Sequence, residues 1–191
     1  MLLPLLLFRP LLAALLWLPQ PTALPMPAAS PDQASRPANF WRPVSAAARA
    51  RLGAPRFAAA GSRVLALDLP ALRRYLARTP AQGAHPTPLV LPLPDGRQPA
   101  FRVQLSSVMA PELAARFPEL RAYTGQAAAL PATDARFEVT PAGLRAQLIV
   151  GGQVFLIEPY RAGDTRHYLC FAKAALPPGS KQWSEPPMGE K

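Results

Sequence analysis

From Asp134 to Lys173 apolar and polar side chains alternate along the chain in four segments, ARFEVTPAG, LRAQLIV, QVFLIEPY and TRHYLCFAK, separated by Gly-Gly and Arg-Ala-Gly-Asp. Phe137 and Val139, then Leu144, Ala146, Leu148 and Val150, fall at the period of two that a half-buried strand requires. In the next segment either Val154 with Leu156 or Phe155 with Ile157 supplies the buried face. Four such strands joined by tight turns predict an antiparallel meander.

Upstream the pattern changes twice. SRVLALDL, from Ser62, reads as a strand, and DLPALRRYLART follows as a short helix with Asp68 as N-cap and Pro70 in the first turn. Leu69, Leu72 and Leu76 recur at helical spacing while Arg73, Arg74 and Arg78 occupy other faces, which predicts an amphipathic cover for a sheet. TPLVLPLPDGRQPAFRVQLS then gives two strand-like runs around a Pro94-Asp95-Gly96 turn. Pro88, Pro92 and Pro94 cannot donate hydrogen bonds, so the first run belongs at a sheet edge. Pro111 to Phe117 is expected to be helical, ELRAYTG extended, and Gly125 to Pro131 a loop. The expected class is α+β and β-rich: an antiparallel sheet or meander with one or two short helices.

Residues 62–174 therefore form the predicted module. Before it, 30–61 is rich in Pro, Ala and Arg without sustained period, and is expected to be a flexible lead-in, with Phe40-Trp41 a local anchor on the later domain. After it, 175–191 lacks periodicity and is expected to be a disordered tail. At the N-terminus two apolar runs, Met1 to Phe8 and Leu11 to Leu18, are each shorter than the ~20 residues that cross a bilayer. An export signal over 1–29 fits, with cleavage after Ala23 or Ala29; initiation at Met26 would remove it. The expectation is a secreted or periplasmic protein with no membrane association after signal cleavage.

Composition narrows the function classes. The 26 prolines among 191 residues are far above the usual ~5 % and argue against a helical bundle. The net charge of +10 comes from arginine, concentrated from Arg36 to Arg78 where Asp68 is the only acid. No helix-turn-helix, zinc-finger spacing or RNP-like strand accompanies it, so the arginines read as solvated faces and no nucleic-acid partner is expected. The single cysteine, Cys170, cannot form an internal disulfide.

Candidate chemistry is sparse. The two histidines, His85 and His167, sit in no HExxH or other zinc spacing, and no GxSxG elbow, GxGxxG or P-loop occurs. His167 and Cys170 are three apart in a strand pattern, which puts them on opposite faces and rules out a shared proton. Glu158 and Asp164 flank a turn as solvated rim charges. A non-catalytic chain without cofactor is expected.

TPAGLRAQLIVGGQVFLIEPYRAGDTRHYLCF resembles the last part of the propeptide of the reprolysin/adamalysin (M12B) zinc metallopeptidases. The pattern is carried by Gly143 opening a strand, the Gly151-Gly152 turn, Phe155 followed by Ile157-Glu158-Pro159, and His167-Tyr168. Upstream, FWRPV and SSVMAPELAARFPELRAYTG are similar to secreted bacterial members, so the resemblance covers most of Phe40 to Lys173. It implies a secreted chaperone and inhibitor of a reprolysin-like zinc metallopeptidase domain, meeting the protease by strand-edge pairing. It also implies framework roles for Glu158 and His167. No HExxHxxGxxH segment follows before Lys191, so the expectation is a fragment without the protease domain. Cys170 lacks the glycine-containing motif of a cysteine switch, which leaves a zinc-directed thiol a minor alternative to a small apolar strand residue. The alternative function is a secreted structural or adhesive β-module that binds polyanions through the Arg36 to Arg78 region.

Overall fold

The computed structural model describes residues 36–80, 86–106, 110–127, 129–130 and 132–180. In chain order these form β1 (Trp41–Pro43), α1 (Ala46–Leu52), β2 (Arg63–Leu67), α2 (Leu69–Leu76), β3 (Thr87–Val90), β4 (Ala100–Leu105) and α3 (Pro111–Arg116). There follow β5 (Arg121–Ala127), β6 (Thr133–Thr140), β7 (Gly143–Val150), β8 (Gln153–Pro159), β9 (His167–Ala172) and one 3-10 turn at Lys173–Ala175. The β-rich, antiparallel class read from the alternation is what the chain adopts.

All nine strands make one curled sheet in the order β1-β2-β9-β8-β7-β6-β5-β4-β3, each neighbouring pair antiparallel. From β3 to β9 the chain meanders between neighbours, with α3 inserted in the β4–β5 connection. Between β7 and β8, Gly151 and Gly152 (φ 56° and 77°) make a two-residue hairpin that needs left-handed backbone at both positions. Strand β3 ends the order, where its proline belongs. Its outer edge is nevertheless occupied: Ala38 donates to the Pro88 carbonyl at 3.2 Å and accepts from the Val90 amide at 2.9 Å. The segment leading into β1 thus joins the two ends of the sheet and draws the curl shut.

Inside the curl lies the main core, with Leu65, Phe101, Leu144, Leu148, Ile157 and Tyr168 fully buried. Helix α2 plugs one end through Leu69, Leu72 and Leu76, and its N-cap is Asp68, which accepts from the Ala71 amide at 3.0 Å. The other end is covered by the β3–β4 connection, whose Leu91 and Leu93 are also fully buried. Proline-rich sequence suits this cover because it holds apolar side chains in place without needing ladder hydrogen bonds.

A second, smaller core sits on the outside of β8, β9 and β2. Phe57 and Ala59 cover Val64, Leu156, Leu169 and Phe171 there. Both alternatives for β8 are therefore realised: Phe155 and Ile157 face the interior and Leu156 faces this outer layer. The described part of the expected flexible lead-in, 36–61, is ordered structure, a correction with a specific cause. Tyr160 donates its hydroxyl to the Gly53 carbonyl at 2.5 Å, Arg161 Nε donates to Ala54 at 3.0 Å, and Arg56 donates its amide to Tyr160 at 2.8 Å. These long-range bonds and the burial of Phe57 replace the periodicity that the segment lacks.

Gly125, expected to open a loop, instead lies within β5. A Cβ there would meet the Arg102 carbonyl at 3.1 Å, so the missing side chain lets β4 and β5 approach. The expected signal at 1–29 lies outside the described residues. Of the expected tail, Leu176 packs on the outer core, and 181–191 lie outside the described residues. Among the described residues no helix is long and apolar enough to cross a membrane.

Candidate functional site

The residues that carry the propeptide resemblance gather on β7, β8 and β9. Gly143 opens β7 with φ 124°, a conformation that side chains rarely adopt. Over it stands the Tyr168 hydroxyl, which accepts from the Leu144 amide and donates to the Thr165 carbonyl, both at 3.2 Å. Burial, above all, raises the Tyr168 pKa, so the phenol stays neutral and keeps both bonds. Trp41 packs edge-on against its ring at 5.5 Å between centroids.

One residue away, His167 points outward. Its Nδ1 lies 3.2 Å from Asp164 Oδ2, while Asp164 Oδ1 accepts from the Arg166 and His167 amides at 2.9 Å. The Tyr160 amide donates to the His167 carbonyl at 2.8 Å. His167 thus fixes the β8–β9 turn. Glu158, 7 % exposed, lies 3.5 Å from Arg145 Nε, and Arg145 also lies 3.8 Å from Glu138. Pro159 pairs with Tyr168 across β8 and β9. These contacts hold turns and strands, and the one imidazole–carboxylate contact among them, His167 with Asp164, lies within the β8–β9 turn.

Cys170 is fully buried, and its thiol donates to the Pro92 carbonyl at 3.3 Å beneath the β3–β4 cover. Burial pushes the thiol pKa up to about 12, with Arg63 opposing and Asp95 adding to the shift. A thiolate ligand is disfavoured in that enclosure. Among the described residues no group of three or more His, Cys, Asp or Glu could hold a metal ion; His85 lies outside them.

Two adjoining clefts that sequence alone does not reveal lie on the outer face of β4 to β8. One, of about 510 Å³, is lined by Arg102, Gln104, Thr124, Gln126, Asp134 and Arg136 among others. Its neighbour, of about 580 Å³, shares Thr124 and Arg136 and runs on past Glu138, Arg145 and Gln147 to Leu156 and Glu158. Alternation announces that these side chains point away from the core, but only strand order makes them neighbours.

No protein-family model, curated protein or solved structure matches this chain.

Proposed function

We propose that this protein is a secreted or periplasmic, non-catalytic, prodomain-like module that assists folding of a reprolysin-like zinc metallopeptidase domain and inhibits it. The observation that supports this reading is the convergence of the resembling residues. Gly143, Gly151, Gly152, Phe155, Ile157, Glu158, Pro159, His167 and Tyr168 lie on three adjacent strands and their connections, where they set backbone path and packing. A propeptide that works as a template needs rigidity of this kind rather than reactive groups. Docking by the β3 edge is pre-empted by Ala38, so contact through a sheet face or a projecting connection is the consistent mode.

The test is to mix the full chain with a reprolysin-like catalytic domain and follow cleavage of a fluorogenic peptide. Saturable inhibition that survives ~0.3 M salt is expected. The polyanion alternative rests on exposure: of the arginines from Arg36 to Arg78, all but Arg63 are exposed. It predicts retention on immobilised heparin that is lost in the same salt, because the Debye length is ~10 Å at 0.1 M and shorter above. Heparin retention without inhibition would transfer the assignment to that alternative.

A further inference from the structure

The outer face of β4 to β8 is built as a groove. Cross-strand register sets three rows on it: Arg102–Gln126–Asp134, then Gln104–Thr124–Arg136–Gln147–Leu156, then Ala122–Glu138–Arg145. The third row ends on Glu158, which Arg145 reaches. The middle row is short or uncharged except for Arg136, and both clefts open along it. Beside it, Phe57 and Ala59 cover the outside of β8, β9 and β2, and Ala38 occupies the β1–β3 seam.

Charge decides what fits. Arg145 is matched by Glu138 and Glu158, and Asp134 accepts a hydrogen bond from Gln126 at 3.4 Å. Arg102 and Arg136 make no ion pair or hydrogen bond among the described residues and line the same cleft. They stand diagonally, two strands and two residues apart, on the order of 12 Å between backbones. Two guanidinium groups without an ion pair among the described residues, outnumbering the one carboxylate of that cleft, favour added carboxylates, which they bind with charge-assisted hydrogen bonds. Asp134 between them and Glu138 beyond repel a densely charged polymer. Four strand spacings span ~19 Å, the length of about six extended residues.

We infer that this groove binds an extended peptide segment, with Arg136 and Arg102 as the anchors for its acidic side chains. The assignment stands without the peptidase reading: it concerns a surface of this chain and is tested without any protease.

The experiment is a titration of the full ¹⁵N-labelled chain with the hexapeptide acetyl-Ala-Glu-Val-Glu-Val-Ala-amide, its Gln-for-Glu counterpart, and sodium sulfate. Expected are saturable shifts confined to 102–104, 124–126, 134–136 and 147, and a roughly fivefold weaker affinity for the Gln peptide, the scale of an exposed charge contact. Arg136→Ala and Arg102→Ala, both exposed and facing away from the core, are expected to keep the spectrum of the folded chain and to lose a similar factor each. Equal affinity for both peptides, unaffected binding by Arg136→Ala, or scattered shifts overturns the assignment. Sulfate binding at the peptide's affinity overturns the peptide part and reduces the site to one for small anions.

Discussion

The Tyr168 hydroxyl sits 3.0 Å from the position that a Cβ on Gly143 would take, on strands β9 and β7 that do not pair with each other. The same hydroxyl accepts from the amide of the next residue, Leu144. A glycine with left-handed backbone and a tyrosine in the core thus form one device that starts β7 in register.

Gly143→Ala is expected to destabilise the fold by about 2–4 kcal/mol, from backbone strain plus displacement of the hydroxyl and its hydrogen bonds. Tyr168→Phe removes both bonds and leaves the buried Leu144 amide unsatisfied, at about 1–3 kcal/mol. In the double variant the alanine has no hydroxyl to displace, so the combined loss in urea unfolding is expected to fall short of the sum by at least ~0.5 kcal/mol. Strict additivity would show that the two residues act separately.

Trp41 donates Nε1 to the Val90 carbonyl at 3.2 Å and is 5 % exposed, which ties the short strand β1 to β3 across the seam. Trp41→Ala is expected to cost about 3–5 kcal/mol and Trp41→Phe about 1 kcal/mol beyond its packing loss. Amide exchange locates the effect: the Val90 amide, bonded to Ala38, loses protection in Trp41→Ala before amides of β6 and β7 do.

Residues 53–61 form a strap over the outer core that rests on Phe57, whose ring centroid lies 5.8 Å from that of Phe171. Phe57→Ala is expected to free the strap while leaving the closed sheet folded, because the two cores are separate clusters. Trypsin cleavage after Arg51 and Arg56 then accelerates, with the fragment from β2 onward persisting on a gel. Loss of the whole fold at the same protease dose would show that the strap is part of the cooperative unit.

Cys170 gives the fold a dependence on alkaline pH. Its thiol pKa rises from 9.0 to about 12 on folding, so the folded state holds the proton more tightly than the unfolded chain does. The stabilisation is complete below pH 9 and is lost as pH climbs from 9 toward 12, by at most about 1.4 kcal/mol per unit. Burial raises Tyr123 and Tyr168 as well, which act in the same direction above pH 10. In Cys170→Ala the urea midpoint is expected to start lower but to fall less between pH 9 and 10 than in the parent. A thiol reagent at pH 8 is expected to react with the parent only as fast as it unfolds.

The sheet is most readable in β6 and β7 because those strands keep one face wet, and the period of two survives wherever polar residues must meet water. It became ambiguous in β8, where Leu156 is covered by Phe57, nearly 100 positions earlier in the chain. The order of residues 36–61 is not legible locally for a related reason. β1 has three residues, α1 buries none, and what orders them comes from Val90, Tyr160 and Arg161. Gly125 reads as loop because nothing local distinguishes a glycine that admits a neighbouring strand from one that turns the chain.

The local backbone demands of the β7–β9 residues are legible in their types. Gly143, Gly151 and Gly152 need positive φ, and Glu158 and His167 find partners within their own turn or neighbouring strand. The groove could not be read in this way. Arg102 and Arg136 are separated in sequence by helix α3 and strand β5, and each alone is an ordinary outward-facing arginine. Local patterning determined which side chains face water and where the chain turns, since those depend on neighbours along the chain. Closure by Ala38, the strap over β8 and the placing of Arg102 and Arg136 in one cleft were decided by tertiary structure, because each depends on strand order and on contacts between residues that no local period relates.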